Sequence, residues 1–261
     1  MKENAHRKSQ GQTRMIPSMQ VHYINLKRRT DRNDQFLAMN AEIIDCQWKE
    51  AVDGSKIQYV DLIRDRVVVE PLEHFTPGAI GNALSHKQLW EQCSAGSSPI
   101  TVAEDDAVFN RNFVAKSAQV LEKLPTDWDM ILWGWNFDSI LHLEIMAGLK
   151  QTVLHFDSRA FGPRMDDFRN ADYEVSPYRM FGAFGHVCYS VTPNGAKRLL
   201  ECGFPITNDP IFVPGLERYL YNISIDATLN KYYREMNAYV CFPPLVWTEN
   251  DKGQSDIQSN S

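Results

Sequence analysis

The chain reads as an α/β protein, a central sheet with helices packed against it. Three observations predict this. The apolar run Val21 to Leu26 is followed at once by a helical stretch, so a strand and a helix fill the first forty residues. Two later helices each open on Thr-Pro, at 76–77 and 192–193, a cap followed by a proline at the first helical position. The apolar run Pro99 to Ala103 ends in Glu104-Asp105-Asp106, three carboxylates where a buried strand should surface. In open α/β sheets ligands bind at the carboxyl ends of strands. Clustered carboxylates there repel one another unless a cation or a proton relieves them. The triplet is therefore either a divalent-metal site for a phosphorylated substrate or a solvated acidic loop.

The elements follow in order. A strand spans Gln20 to Leu26, and Thr30 or Asp31 is the expected cap of a helix through Phe36 and Leu37 towards Asn40. A second strand near Ile43 to Val52 stops at the turn signal Asp53-Gly54, with a short helix after it. The clearest helix runs from Thr76-Pro77 to before Gly96 and carries Ile80, Leu84 and Trp90 on one side. Next come a strand at Ile100 to Ala103, a helix at Asn112 to Leu124 and a strand at Trp128 to Trp133. Periodicity weakens from Asn136 to Phe181, so residues 136–181 are expected to be an irregular excursion. Regularity returns with a strand at Val187 to Val191 and a helix from Thr192-Pro193 to Cys202. Ser224 or Asp226 starts a short helix through Leu229, and Ala238 to Phe242 is a strand. One domain over 19–250 is expected, between a flexible basic tail, 1–18, and a loose C-terminal tail, 251–261.

Composition narrows the function. The 261 residues carry 43% hydrophobic content, enough for a sizeable core, and a net charge of −6, which disfavours nucleic acid as a partner. The polar opening lacks the apolar region of a secretion signal, and no apolar stretch approaches the roughly 18 to 20 residues that span a bilayer. The cytoplasm is the expected compartment. Residues 1–30 hold seven Lys or Arg against one acid, Glu3, an arm that is either a solvated tail or a peripheral contact with anionic lipid at the inner membrane face. Five scattered cysteines without a CxxC pair are expected to be free thiols, mostly in or near the core.

Several ordered segments carry a family resemblance. Ile24-Asn25-Leu26 through Arg28-Arg29 and Asp31-Arg32 is similar to an INL-x-R-R-x-D-R start, and Ala51-Val52-Asp53-Gly54 to an AVDG turn. Gly78 to His86 resembles a G-E-I-G-C-A-L-S-H helix, Glu104-Asp105-Asp106 an EDD signature, and Tyr189 to Lys197 a Y-x-(I/V)-(S/T)-P-x-G-A-K segment. Ile225-Asp226, Pro243 to Val246 and Ser255-Asp256-Ile257 resemble C-terminal markers in the expected order. The family is glycosyltransferase family 25, which includes lipooligosaccharide galactosyltransferases and relatives of collagen galactosyltransferases. The chain departs from its pattern at Lys27 and Ala79, where acids are usual, and at Asn82, where Cys is usual.

The resemblance implies a GT-A-like, Rossmann-type α/β/α sandwich with a mixed, mainly parallel sheet. It implies an inverting hexosyltransferase moving galactose from UDP-galactose to a saccharide acceptor such as lipooligosaccharide. The alternative is a family member that binds nucleotide sugar without transfer; a metal-dependent phosphohydrolase is a more distant rival. Mn²⁺ or Mg²⁺ is the implied cofactor, with Asp106 as first ligand and Glu104 towards ribose or the metal shell. Asp105 is expected on the opposite side of the strand. Asp226 is the candidate base, with a helix cap as its alternative and Asp209 in reserve. His86 either bonds a donor phosphate or is a satisfied core histidine. Asn25, Arg29 and Arg32 are placed at the nucleotide; Arg32 pairs with phosphate or with Asp31 and Asp34. Asp53 either accepts from uracil or ribose or is a plain turn aspartate. Trp48, Trp90 and Trp128 are expected in the core; Trp135 and Trp247 are candidates for a sugar-stacking platform or for the core.

Overall fold

The computed structural model describes residues 19–157 and 165–248. The two tails, and with them Ser255-Asp256-Ile257, lie outside the described residues. The strands are β1 (Gln20–Asn25), β2 (Asp45–Glu50), β3 (Ile100–Glu104), β4 (Val108–Phe109), β5 (Met130–Gly134), β6 (Ile140–Met146), β7 (Lys150–His155), β8 (Ser176–Ala183), β9 (Cys188–Val191), β10 (Ile211–Val213), β11 (Arg218–Leu220), β12 (Ala238–Phe242) and β13 (Val246–Trp247). The helices are α1 (Thr30–Asn40), α2 (Tyr59–Arg64), α3 (Pro77–Ser94), α4 (Phe113–Leu121), α5 (Met165–Asn170), α6 (Pro193–Gly203) and α7 (Ile225–Leu229).

Nine strands form one sheet in the order β2-β1-β3-β9-β5-β12-β8-β6-β7. Parallel pairing joins β1 to β2 and β3, and β12 to β5; β9, β8 and β7 run against the other six. Side chains alternate across the sheet, and each face buries its own core. Ile24, Val102 and Leu132 pack with Ile80, Ala83 and Trp90 of α3, Leu199 of α6 and Leu229 of α7. Tyr23, Ala103 and Ile131 pack with Phe36 of α1 and with Phe113 and Val120 of α4. The result is the α/β/α sandwich that the resemblance implies.

Two of the quoted segments prove to be one contact. A Cβ added to Gly81 would lie 2.4 Å from the Val52 carbonyl oxygen, and one added to Gly54 would lie 1.6 Å from that of Pro77. Only glycines allow α3 to lie this close to the Ala51-to-Gly54 turn. Ser85 locks the contact, its Oγ accepting from the Val52 amide at 2.8 Å and donating to the Gly81 carbonyl at 2.7 Å. At the helix start Thr76 Oγ1 accepts from the Ala79 amide, as the Thr-Pro signal predicts.

Three expectations are corrected. The cap position of α1 is Arg29, without a side-chain cap bond, rather than Thr30 or Asp31. The segment 136–181 is not an irregular excursion: its described residues include β6, β7, α5 and most of β8, and the three strands extend the sheet by antiparallel pairing. Trp48 is 43% exposed rather than core, because β2 is an edge strand. All five cysteines are free; Cys93, Cys188 and Cys241 are buried and the other two half-buried.

Candidate active site

The acidic triplet sits where parallel β1 and β3 both end. Tyr23 pairs with Ala103 and Ile24 with Glu104, and the chain then turns at Asp105 and Asp106. Glu104 is the last strand residue and faces α3, where Asn82 Nδ2 donates to its Oε1 at 3.2 Å and His86 Nε2 lies 3.7 Å away. Asp105 turns to the α1 side. It accepts from Asn25 Nδ2 at 2.7 Å and pairs with Arg32, in the first turn of α1, at 2.5 Å. Asp106 accepts from Thr248 Oγ1 at 3.0 Å, and its Oδ2 is 3.7 Å from Arg32.

Among the described residues, then, Arg32 alone forms ion pairs with Asp105 and Asp106. Burial pushes Asp105 up to about 6 despite Arg32 and Asn25. Burial, reinforced by the Glu104 charge, pushes Asp106 up to about 6 despite Arg32 and Thr248. Glu104 is also raised, by burial first, against the hydrogen bond from Asn82. The second Asp106 oxygen, Oδ1, is buried with no hydrogen-bond partner among the described residues. A desolvated carboxylate oxygen suits a hard divalent cation. Among the described residues no three His, Cys, Asp or Glu side chains converge as a metal cage.

Beneath Glu104 lies a layer of buried rings. His86 Nδ1 shares a hydrogen bond with Tyr189 OH at 2.9 Å, and Trp90 Nε1 donates to the same oxygen at 2.7 Å. His186 precedes β9, whose antiparallel pairing with β3 brings the Glu104 amide to the Val187 carbonyl at 2.9 Å. His186 Nε2 meets Tyr233 OH at 2.9 Å, and the two imidazole centroids are 5.6 Å apart. Burial lowers both histidines to about 4, and His86 adds to the effect at His186. Both are neutral at pH 7. His86 is fully buried and joins α3 to β9 through Tyr189, the core setting of its two expected ones; its Nε2 lies 3.7 Å from Glu104 and has no exposed edge to offer a donor phosphate.

Asp226 belongs to the same constellation. Its Oδ2 accepts from the Gly185 amide at 2.7 Å, and its charge is felt at His86, His186 and Glu104. Gly185 holds φ of +83°, and a Cβ there would strike Asn136 at 2.4 Å. The cap of α7 is Ser224, whose Oγ accepts from the Ala227 amide. Asp226 is left half-buried beside the site, one carboxylate oxygen bonded to the loop. Asp209 is exposed and bonded to Thr207.

Other candidates are used locally. Asp53 caps a single 3₁₀ turn, accepting from the Ser55 amide and hydroxyl, and pairs with Arg28 and Lys56 at 3.7 and 3.4 Å. Arg29 chelates Asp31. Trp135 is fully buried among Phe137, Phe156 and Phe242, so it offers no sugar platform; Trp247 stacks on Phe137 at 4.2 Å and stays partly open. Sequence reasoning missed Thr248, His186 and Tyr233, and it quoted Tyr189 only as the start of a family-like segment, without a place at the site. Their signal is tertiary: each meets its partner across 47 or more residues.

Residues 19–211 match the family model described as glycosyltransferase family 25 (LPS biosynthesis protein). The chain belongs to glycosyltransferase family 25. Within this family it is 27% identical over 262 residues to mouse procollagen galactosyltransferase 2, covering 93% of this chain and 37% of the relative. It is 32% identical over 127 residues to human inactive glycosyltransferase 25 family member 3, and 32% identical over 126 residues to a glycosyltransferase 25 family member of Aedes aegypti. Each of these two matches covers 44% of this chain and 21% of the relative. The family 25 chain thus spans well under half the length of these curated relatives. No helix among its described residues is long and apolar enough to cross a membrane.

Proposed function

We propose that this family 25 chain transfers a hexose, galactose from UDP-galactose, to a saccharide hydroxyl by inverting displacement. The observation that carries the reading is Asp106: a carboxylate raised by burial and by the Glu104 charge, with one buried oxygen that has no hydrogen-bond partner among the described residues, at the carboxyl end of a parallel strand. Galactose as the sugar rests on likeness to procollagen galactosyltransferase 2. The proposed acceptor is a saccharide or glycolipid such as lipooligosaccharide, met at the cytoplasmic membrane face with help from the basic residues of 1–18.

Asp106 and Glu104 would hold Mn²⁺ or Mg²⁺, which when bound offsets the negative charge that grows on the leaving diphosphate. Arg32 and Asn25 keep the acidic turn in place through Asp105. Asn82 holds Glu104, and the neutral His86 and His186 avoid adding charge beneath it. Asp226, oriented by the Gly185 amide, takes the acceptor hydroxyl proton as its oxygen bonds to the anomeric carbon and the bond to phosphate breaks, releasing UDP.

The test is transfer and hydrolysis of UDP-galactose with Mn²⁺, comparing the parent with Asp106→Ala. The reading requires turnover by the parent and its loss in the variant. Binding of nucleotide sugar without turnover against any saccharide would favour the alternative, a non-transferring family member. Ala79, which replaces the usual acid, and the inactive human relative motivate that alternative.

A further inference from the structure

An exposed aromatic row runs directly into the residue proposed as the base. Tyr219, Tyr221 and Ile223 are 68%, 69% and 54% exposed, whereas Asn222 between them is buried. Tyr219 lies on β11, which ends at Leu220, and along the chain the three exposed side chains alternate with half-buried Leu220 and buried Asn222. Phe212 pairs with Tyr219 across the β10/β11 hairpin, their ring centroids 5.1 Å apart. The His74 ring meets Tyr221 at 4.2 Å. The chain then turns through Ser224 into α7 and Asp226.

The row is rigidly tied to the base. Asn222 Nδ2 donates to the Thr207 carbonyl at 2.8 Å, and Asn222 Oδ1 accepts from Thr228 Oγ1, on α7, at 2.8 Å. Asp226 is on the same helix, held to Gly185, and Asn230 at the helix end bonds the Ala183 amide and carbonyl. A ligand laid along the row is therefore held at a set distance from Asp226.

We infer that Tyr219 and Tyr221 form a subsite for the sugar rings of an extended oligosaccharide acceptor, feeding its terminal hydroxyl towards Asp226. Flat rings with polar tips stack on the C–H faces of sugars while their hydroxyls stay wet. Charge argues against an anionic lipid surface as the occupant: Glu73 beside His74 and Glu217 ahead of β11 outweigh Arg218. The inference rests on the transferase reading for its acceptor, but its test does not need turnover.

The probe is the core oligosaccharide of a lipooligosaccharide, stripped of its acyl chains, titrated by calorimetry into the full chain. The parent should bind it, and Tyr219→Ala/Tyr221→Ala should bind about tenfold more weakly, with Tyr219→Phe/Tyr221→Phe retaining most of the affinity. Thermal melts check that the exposed substitutions leave the fold intact. Equal affinity of the Ala pair and the parent, or no binding by the parent, overturns the subsite. So does tyrosine-dependent binding to phosphatidylglycerol vesicles in place of the oligosaccharide. UDP-galactose hydrolysis is scored separately: tyrosine-dependent oligosaccharide binding without hydrolysis upholds the subsite and counts against transfer. Hydrolysis without that binding does the reverse.

Discussion

Thr248 Oγ1 donates to Asp106 Oδ2 at 3.0 Å, joining residues 142 apart in sequence across the acidic turn. This bond holds one oxygen of Asp106; the other, Oδ1, has no hydrogen-bond partner among the described residues and is the atom proposed to meet a cation. Outer partners of metal-binding carboxylates commonly govern affinity. Thr248→Val, which keeps the shape and loses the donor, should raise the Mn²⁺ concentration needed for half-maximal UDP-galactose turnover about 10-fold, and Thr248→Ser should restore it. Unchanged Mn²⁺ dependence in the Val variant would count against this role.

Ser224 caps α7, which leaves Asp226, the proposed base, free of that duty. Asp226→Asn keeps an oxygen for the Gly185 amide but cannot take a proton, so turnover should fall about 10² to 10⁴-fold with little loss of stability. Ser224→Ala removes the cap and should cost about 1 kcal/mol of stability while turnover holds. Steady-state kinetics and urea denaturation read both effects; a fully active Asp226→Asn would move the base elsewhere.

The triplet should leave its mark on the pH dependence of folding. Asp105 and Asp106 are raised to about 6 in the folded chain, so between about pH 4 and 6 the folded state binds more protons than the unfolded one. Their effect is a loss of stability as pH rises through that window. Asp106→Asn should therefore gain melting temperature relative to the parent as pH rises from 4 to 7. His86 and His186 act in the opposite sense, since their lowered pKa values cost stability as pH falls from about 6.5 to 4. A variant-minus-parent difference that is flat with pH would contradict the Asp106 assignment.

Gly81→Ala should destabilise the fold by about 3 kcal/mol, because the obstacles to its Cβ, Val52 O and Gly54 N, are backbone atoms that cannot swing aside. Guanidinium unfolding measures this. A loss under about 0.5 kcal/mol, the range of ordinary surface substitutions, would show that α3 and the turn separate easily.

What the sequence made legible was local. The Thr-Pro starts of α3 and α6 and the strand at Ala238 to Phe242 appear where capping and apolar pattern place them. The acidic triplet at a strand end was readable because β3 is short and apolar up to Glu104. The strands β6, β7 and β8 were hidden because His142 interrupts one, the edge strand β7 is largely polar, and their pairing is antiparallel and set by the sheet already formed. At the site, Asn25, Arg32, Glu104 and Asp106 were named from sequence. What surrounds them was not: a lone threonine at position 248 or a histidine at 186 carries no local signal, and only the packing of β9, β3 and the final described residues brings them to the carboxylates.

Metal and donor diphosphate are proposed to meet at Asp106, and thermal melting with UDP, in Mn²⁺ and in EDTA, is the measurement that decides this. UDP should raise the parent's melting temperature with Mn²⁺ and not in EDTA, and Asp106→Asn should lose the rise. An equal UDP shift in EDTA, or an undiminished shift in Asp106→Asn, would contradict it.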